Sequence, residues 1–142
     1  MPKSTDELMK VLQQKKDLHS YLQENREEMT LPSLTDMLNN LLAASGQSKS
    51  VLLQAAHIDR VYGYQLFSGQ RLSPSRDKLL RLAFALHADV ASTQHLLRAG
   101  SQPILYPRDV RDAVILFYLQ NSHSLYDCEL ALEDAGLKNL ED

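Results

Sequence analysis

Residues 48–70 read SKSVLLQAAHIDRVYGYQLFSGQ, and the fold predicted for the chain is built around this segment. Too few residues separate its apolar clusters for long helices. We therefore expect two short helices, at about 48–56 and 59–67. A tight turn at His57-Ile58 joins them, and Gly69 ends the second, because glycine readily takes the left-handed conformation that follows a helix. The inner faces of the two helices carry Leu52, Leu53, Ala56, Ile58 and Leu66. The stretch therefore predicts two helices that cross at a steep angle.

Helical signals continue on both sides of this pair. Capping residues and apolar residues at i, i+3 and i+4 spacing predict helices from Ser33 to Gly46, over 75–86, from Asp89 to Gly100, from Pro107 through the apolar stretch 110–119, and from Ser124 to Gly136. Near the N-terminus, Ser4 and Glu7 have the spacing of a capping box, and a second short helix is expected over 17–29. The sequence thus predicts an all-α fold. We expect an N-terminal helical extension over 1–31, a five-helix core over 32–100 and an extra C-terminal helix pair over 101–142.

The composition excludes several classes of protein. The chain has 142 residues, of which 44% are hydrophobic, which is enough to build one core. No stretch approaches the ~20 uncharged apolar residues of a membrane span, and the charged N-terminus lacks the apolar region of a secretory signal. The single cysteine, Cys128, excludes an internal disulfide. We therefore expect a cytoplasmic protein with no membrane partner.

Charge is distributed unevenly along the chain. The net charge of −3 divides into −2 over residues 1–44, +5 over 45–111 and −6 over 112–142. A basic segment attracts phosphate groups through counterion release, so the middle of the chain is a candidate nucleic-acid surface. The acidic tail pairing with the basic middle is an equally simple explanation.

Two parts of the C-terminal half echo each other. Arg76-Asp77 begins one predicted helix, with His87 and Gly100 after it, and Arg111-Asp112 begins another, with His123 and Gly136 after it. The offset is 35 residues at the start and 36 at the end, which predicts an insertion of one residue. We interpret the last helix pair as a degenerate copy of the pair before it, with coincidence between two ordinary helix hairpins as the alternative.

Residues 47–69 resemble the helix-turn-helix of the phage-repressor (Cro/C1, XRE) family, and the resemblance extends over about 33–98. The S-G-Q-R turn after the second helix, Pro74 and the L-x-x-L-A-x-x-L run ending at Leu86 also match. The resemblance implies a lambda-repressor-like core that places its second short helix in the major groove of DNA. Two positions depart from the family pattern. His57 stands where glycine is usual, and Gly63 stands where valine or isoleucine is usual.

The resemblance implies where DNA would be contacted. The outer face near the start of the second short helix carries Arg60, Val61, Tyr64 and Gln65, which would face the bases. Ser48 and Lys49, at the start of the first short helix, would hold a phosphate. Arg71 and Arg76 would contact the flanking backbone, and Asp59 is expected to act as a cap. The predicted DNA-binding residues are therefore Ser48, Lys49, Arg60, Val61, Tyr64, Gln65, Arg71 and Arg76.

These features favour a sequence-specific double-stranded DNA-binding regulator of transcription. Such regulators usually pair across a two-fold axis, so we expect a homodimer, with the apolar stretch 110–119 as the contact. The same stretch could instead bury the last helix pair within one chain. The main alternative function is a protein-interaction adaptor of the same fold that has lost DNA binding, which His57, Gly63 and the acidic ends favour. The five histidines have no H-x-x-x-H spacing, so we expect no metal, no cofactor and no catalytic activity.

Overall fold

The computed structural model describes residues 4–14, 17–24 and 33–141, and all of the regular secondary structure in those ranges is α-helical. This confirms the expected all-α class. The chain divides into two compact units, residues 1–32 and 33–142. Residues 101–142 therefore belong to the same compact unit as residues 33–100. No helix in the described ranges is both long and apolar enough to cross a membrane.

The first unit contains α1 (Thr5–Gln14) and α2 (Leu18–Glu24). The Ser4 hydroxyl accepts a hydrogen bond of 3.2 Å from the backbone N–H of Glu7, as the capping-box spacing predicts. The Asp17 carboxylate accepts from the backbone N–H groups of His19 and Ser20 and so begins α2. The last five residues of the helix predicted over 17–29 lie outside the described residues.

The second unit contains α3 (Leu34–Ser45), α4 (Lys49–Ala55), α5 (Arg60–Ser68), α6 (Arg76–Ala85), α7 (Val90–Ala99), α8 (Val110–Gln120) and α9 (Leu125–Asp134). Each of these helices follows a residue whose side chain accepts a hydrogen bond from the backbone N–H three residues later. These caps are Ser33, Ser48, Asp59, Ser75, Asp89, Asp109 and Ser124. The cap of α8 is Asp109, so Pro107 precedes the helix and does not lie in its first turn.

One form of turn joins four pairs of consecutive helices. A residue in the left-handed conformation comes first, one residue follows, and the N-cap of the next helix comes third. The left-handed residues are Gly46 (φ 71°), His57 (φ 55°), His87 (φ 55°) and Ser122 (φ 57°). After His57, the N–H of Ile58 donates to the carbonyl of Leu53 at 3.0 Å and closes the end of α4. The same turn recurs with His87 and Ser122, so its left-handed position does not require glycine.

Leucine side chains fill the core of the second unit. Helix α3 packs against α5 and α7, and α4 packs against α5 and α6. The fully buried leucines include Leu38, Leu52, Leu53, Leu66, Leu79, Leu82, Leu96 and Leu97. Burial of each such side chain contributes about 1.5–3 kcal/mol to folding, so these contacts fix how α4 and α5 are placed.

Arg81 is a buried cation within this core, with only 3% of its surface exposed. Its Nε donates to the carbonyl of Ala56 at 2.9 Å, and its Nη1 donates to the carbonyl of Leu140. One side chain therefore connects the turn after α4 with the C-terminal segment. The hydrogen bonds also offset the cost of burying its charge.

The last two helix pairs are a structural repeat with an offset of 35 residues from Arg76 onward, although α8 begins one residue before the position equivalent to the start of α6. His87 corresponds to Ser122, and Ser101 (φ 59°) corresponds to Gly136 (φ 71°), since these residues take the same left-handed conformation. The one-residue insertion predicted from the sequence is therefore wrong. Residue type pairs His123 and Gly136 with His87 and Gly100, but backbone conformation pairs them with Ala88 and Ser101, one position later.

The repeat extends to its hydrogen bonds. Arg76 donates to the carbonyls of Pro103 and Ile104, and Arg111 donates to the carbonyls of Lys138 and Asn139, which are the equivalent positions. The contacts between the pairs are reciprocal as well, because α6 packs on α9 and α7 packs on α8. Such an arrangement is that of two units related by a local two-fold axis.

Candidate nucleic-acid interface

Helix α5 presents a polar outer face beside α4. Its cap, Asp59, accepts a hydrogen bond of 3.0 Å from the N–H of Tyr62. This carboxylate therefore caps the first turn of the helix. The buried face of α5 consists of Gly63, Leu66 and Phe67. Helical periodicity then directs the residues between them outward. A shallow groove on this outer side is lined by Lys49, Arg60, Val61, Tyr64, Gln65, Ser68 and Gln70.

Five of the eight predicted DNA-binding residues thus lie together in this groove: Lys49, Arg60, Val61, Tyr64 and Gln65. Val61 is an apolar side chain with 66% of its surface exposed, which its packing within the chain does not explain. Ser68 and Gln70 were not predicted. Ser68 follows Tyr64 by four residues on the same helical face, so the periodicity could have found it. Gln70 lies in the turn after α5, where helical periodicity does not apply, so the sequence pattern does not predict its position in the groove.

Two cations lie near the ring of Tyr64. The Nζ of Lys49 is 5.1 Å from the ring centroid, and the guanidinium of Arg60 is 5.5 Å from it. Cation–π attraction holds both side chains close to the aromatic face. Lys49 also lies 5.5 Å from the centroid of Phe67. The groove therefore carries two positive charges, and none of the residues that line it is acidic.

Arg71 extends this positive surface along the turn after α5. Its Nε donates to Oε1 of Gln65 at 2.5 Å, and its guanidinium lies 4.6 Å from the ring centroid of Tyr62. The Nζ of Lys78 lies 5.1 Å from the same ring, which adds a cation that the sequence did not single out. Arg71 is exposed, so its charge remains accessible beside the groove.

Ser48 is the cap of α4 and does not line the groove. Its hydroxyl oxygen accepts a hydrogen bond of 3.2 Å from the N–H of Val51. The residue is exposed, and Lys49 follows it directly. The hydroxyl hydrogen thus remains able to donate to a ligand while the oxygen caps the helix.

The structure does not bring Arg76 to this surface. Its guanidinium donates to both carboxylate oxygens of Asp112 at 2.9 and 2.8 Å and to the carbonyls of Pro103 and Ile104. The hydrogen bond with Asp112 raises the pKa of Arg76 above its usual range, despite the opposing effect of burial. Arg76 is a structural residue of the repeat. The sequence could not indicate this, because its partner lies 36 residues away.

The two departures from the repressor pattern have local structural reasons. A β-carbon added to Gly63 would clash with three side-chain carbon atoms of Leu53, so any other residue here would require Leu53 to move. His57 is exposed in the left-handed turn between the same helices. Neither residue disturbs the outer face of α5.

Comparison of the chain with protein-family models, with curated proteins and with solved structures gave no match.

Proposed function

We propose that the protein is a sequence-specific double-stranded DNA-binding regulator of transcription. Helices α3–α7 would form a five-helix, lambda-repressor-like core, with α4 and α5 as its helix-turn-helix. The observation that carries this proposal is the groove on α5, where two cations, a glutamine and an exposed valine share one surface. These are the side-chain types that read base edges and phosphates.

Each groove residue has a distinct role in the proposal. Arg60 would donate two hydrogen bonds to a guanine, and Gln65 would pair with an adenine. Val61 and Tyr64 would contact the methyl group of a thymine or a nearby sugar. Lys49, which lines the groove, would bind a phosphate together with Ser48 and Arg71, which do not line it. Arg76 has no part in DNA binding, because Asp112 occupies its guanidinium.

We further propose a homodimer, since one recognition helix contacts too few bases for high affinity. Helix α8 supplies the candidate contact, because Val110 and Phe117 on it are 67% and 56% exposed. These two residues line a shallow apolar groove together with Pro107, Arg108 and Tyr118. The protein would act in the cytoplasm, and the proposal assigns it no catalytic activity.

The same exposed apolar face supports the alternative function of a protein-interaction adaptor. Tyr126 on α9 is a further large side chain that is 68% exposed. In that case α8 and α9 would bind a different protein and the groove on α5 would be an ordinary solvated surface. The positive charge around Tyr64 favours DNA over this alternative.

Fluorescence anisotropy with a pool of random DNA duplexes, at several salt concentrations, tests the proposal. The bound fraction is recovered and sequenced. We expect salt-sensitive binding and enrichment of a site with two symmetric halves about 10–10.5 base pairs apart, centre to centre. Absence of binding even at low salt would contradict the proposal and favour the adaptor.

A further inference from the structure

Three side chains that are distant in the sequence meet beside the turn between α4 and α5. His57, Glu129 and Glu141 each offer one ligand atom, and these three atoms lie within 4.8 Å of one another. Nδ1 of His57 lies 3.6 Å from Oε1 of Glu141. An imidazole nitrogen with two carboxylate oxygens is a donor set that transition metal ions bind.

Glu129 is the residue that distinguishes this cluster from a chance surface pair. Only 9% of its surface is exposed, and its Oε1 has no hydrogen-bond partner among the described residues. A buried carboxylate without a partner is costly, whereas Asp112, which is also buried, accepts hydrogen bonds from the guanidinium of Arg76 and the backbone N–H of Tyr106. Burial and the nearby charge of Glu141 raise the pKa of Glu129. A bound cation would supply the missing partner.

We propose that His57, Glu129 and Glu141 form a binding site for a divalent transition metal ion, with Zn²⁺ as the best fit. Zn²⁺ binds nitrogen and oxygen ligands at about 2.0–2.2 Å, which places two ligands of a tetrahedral site roughly 3.4 Å apart. The spacing of 3.6 Å between His57 and Glu141 is close to this value. The side chains of His57 and Glu141 are 56% and 55% exposed, so they are free to close around the ion. Water would complete the coordination.

Other charged groups lie near the site and affect how strongly it would attract a cation. Arg81 and Glu133 both act on the charge of Glu129, with opposite signs. The positive charge of Arg81 opposes a cation, but its hydrogen bonds hold the carbonyls of Ala56 and Leu140, which directly precede two of the ligands. Arg81 therefore holds in place the backbone segments that contain His57 and Glu141. The negative charges of Glu129, Glu141 and Glu133 together outweigh the single positive charge of Arg81.

The site would couple a metal ion to the candidate DNA-binding surface. His57 lies in the turn between α4 and α5, whereas Glu129 lies on α9 and Glu141 lies in the C-terminal segment. A metal ion would tie this turn to the C-terminal helix pair and restrict how α5 moves relative to α4. This regulatory consequence rests on the proposed function, whereas the metal site itself does not.

Binding of Zn²⁺ to the full chain, freed of metal with a chelator, tests the site by calorimetry. Co²⁺ serves as a second probe, because its visible absorption reports coordination directly. The test variants are His57→Asn and Glu129→Gln. His87→Asn is the matched control, since His87 is exposed and has the same φ of 55° in the equivalent turn. Circular dichroism verifies that each variant is folded.

We expect the wild type and His87→Asn to bind one Zn²⁺ with equal affinity. Affinity should fall at least about tenfold in each test variant, since losing even an outer-shell partner of a metal ligand costs roughly 10–100-fold. Equal affinity in all four proteins, or no uptake by the wild type at millimolar Zn²⁺, would overturn the site. DNA binding is measured separately, with and without Zn²⁺. A DNA affinity that Zn²⁺ does not change would overturn the regulatory coupling while leaving the metal site in place.

Discussion

Gly63 of α5 lies against the side chain of Leu53 in α4, so closely that a β-carbon on Gly63 would clash with Cδ2 of Leu53. Real β-carbons do not approach other atoms this closely. Leu53 is itself fully buried, with 1% of its surface exposed, so it has little room to move. The glycine therefore sets the separation between the two helices that carry the candidate interface.

We expect Gly63→Ala to destabilise the fold by about 1–2 kcal/mol. Overpacking a core costs about 1–3 kcal/mol, and the higher helix propensity of alanine returns up to about 1 kcal/mol. Urea unfolding measures the difference. In a Leu53→Ala background the clash is absent, so the same substitution should be neutral or stabilising. An equal loss in both backgrounds would contradict the proposed contact.

Local signals account for what the sequence predicted well. The caps Ser33, Asp59 and Ser124 lie where expected, because a cap depends only on a side chain and a backbone N–H three residues away. The turn at His57 and the outer face of α5 were also predictable, since helical periodicity relates neighbouring residues. Five of the predicted site residues belong to one groove for this reason.

Long-range pairing accounts for what the sequence did not predict. Arg76 was assigned to DNA because it follows the helix-turn-helix, but its carboxylate partner lies in another helix pair. The cluster of His57, Glu129 and Glu141 joins residues that are up to 84 positions apart, so no motif spacing reveals it. Such contacts depend on how the helices pack, which periodicity along one helix does not encode.

Replacing Lys49 and replacing Arg60 should impair DNA binding in different ways. Lys49→Ala should weaken binding to all DNA sequences alike and reduce the slope of log K against log salt by about 1, because one phosphate contact is lost. Arg60→Ala should relax the preference at one base pair and cost about 1–3 kcal/mol on the preferred site only. Anisotropy titrations on preferred and random duplexes separate the two effects.

Arg76→Ala is the matched control for these variants, since it removes the same charge from a residue outside the groove. It should lower stability and leave the salt slope unchanged. Equal losses from Lys49→Ala and Arg60→Ala on every duplex would contradict the assigned roles of the two residues.

Asp112→Asn should lower stability by about 2–3 kcal/mol at pH 7, because it breaks a largely buried ion pair. Burial alone would raise the pKa of Asp112, but hydrogen bonds from Arg76 and Tyr106 outweigh it and lower the pKa below 3.8. A carboxyl group with a lowered pKa stabilises the folded state above its unfolded pKa, and this stabilisation is lost as the pH falls through the folded pKa. Urea unfolding of both proteins should therefore give a constant difference from pH 7 to about 5 and a shrinking one below about 4. A difference that does not change with pH would mean that the charge of Asp112 is not what stabilises the fold.

Cys128 should resist alkylation in the folded protein. Burial, together with the nearby charge of Glu129, raises the pKa of this thiol to about 12. At pH 8 that pKa leaves roughly one thiolate in 10⁴, against about one in four for an exposed cysteine of ordinary pKa. Mass spectrometry after iodoacetamide treatment should show modification at least about 10³-fold slower than in denaturing urea. Similar rates in both conditions would show that α9 opens readily.

The reciprocal bonds of the helix repeat constrain how its two halves diverge. Arg76 pairs with Asp112 and Arg111 pairs with Asp77, so each half supplies the partner that the other half requires. Replacing Arg76, Asp77 or Asp112 leaves an unmatched charge in the opposite half, and replacing Arg111 leaves Asp77 with the longer ion pair to Lys138, at 3.8 Å. Elsewhere the copies have drifted, as at Thr93 and its counterpart Cys128, which are both fully buried. Amino-acid replacements inside one helix pair can therefore occur independently of the other pair. Replacements at the ion pairs between them must occur jointly.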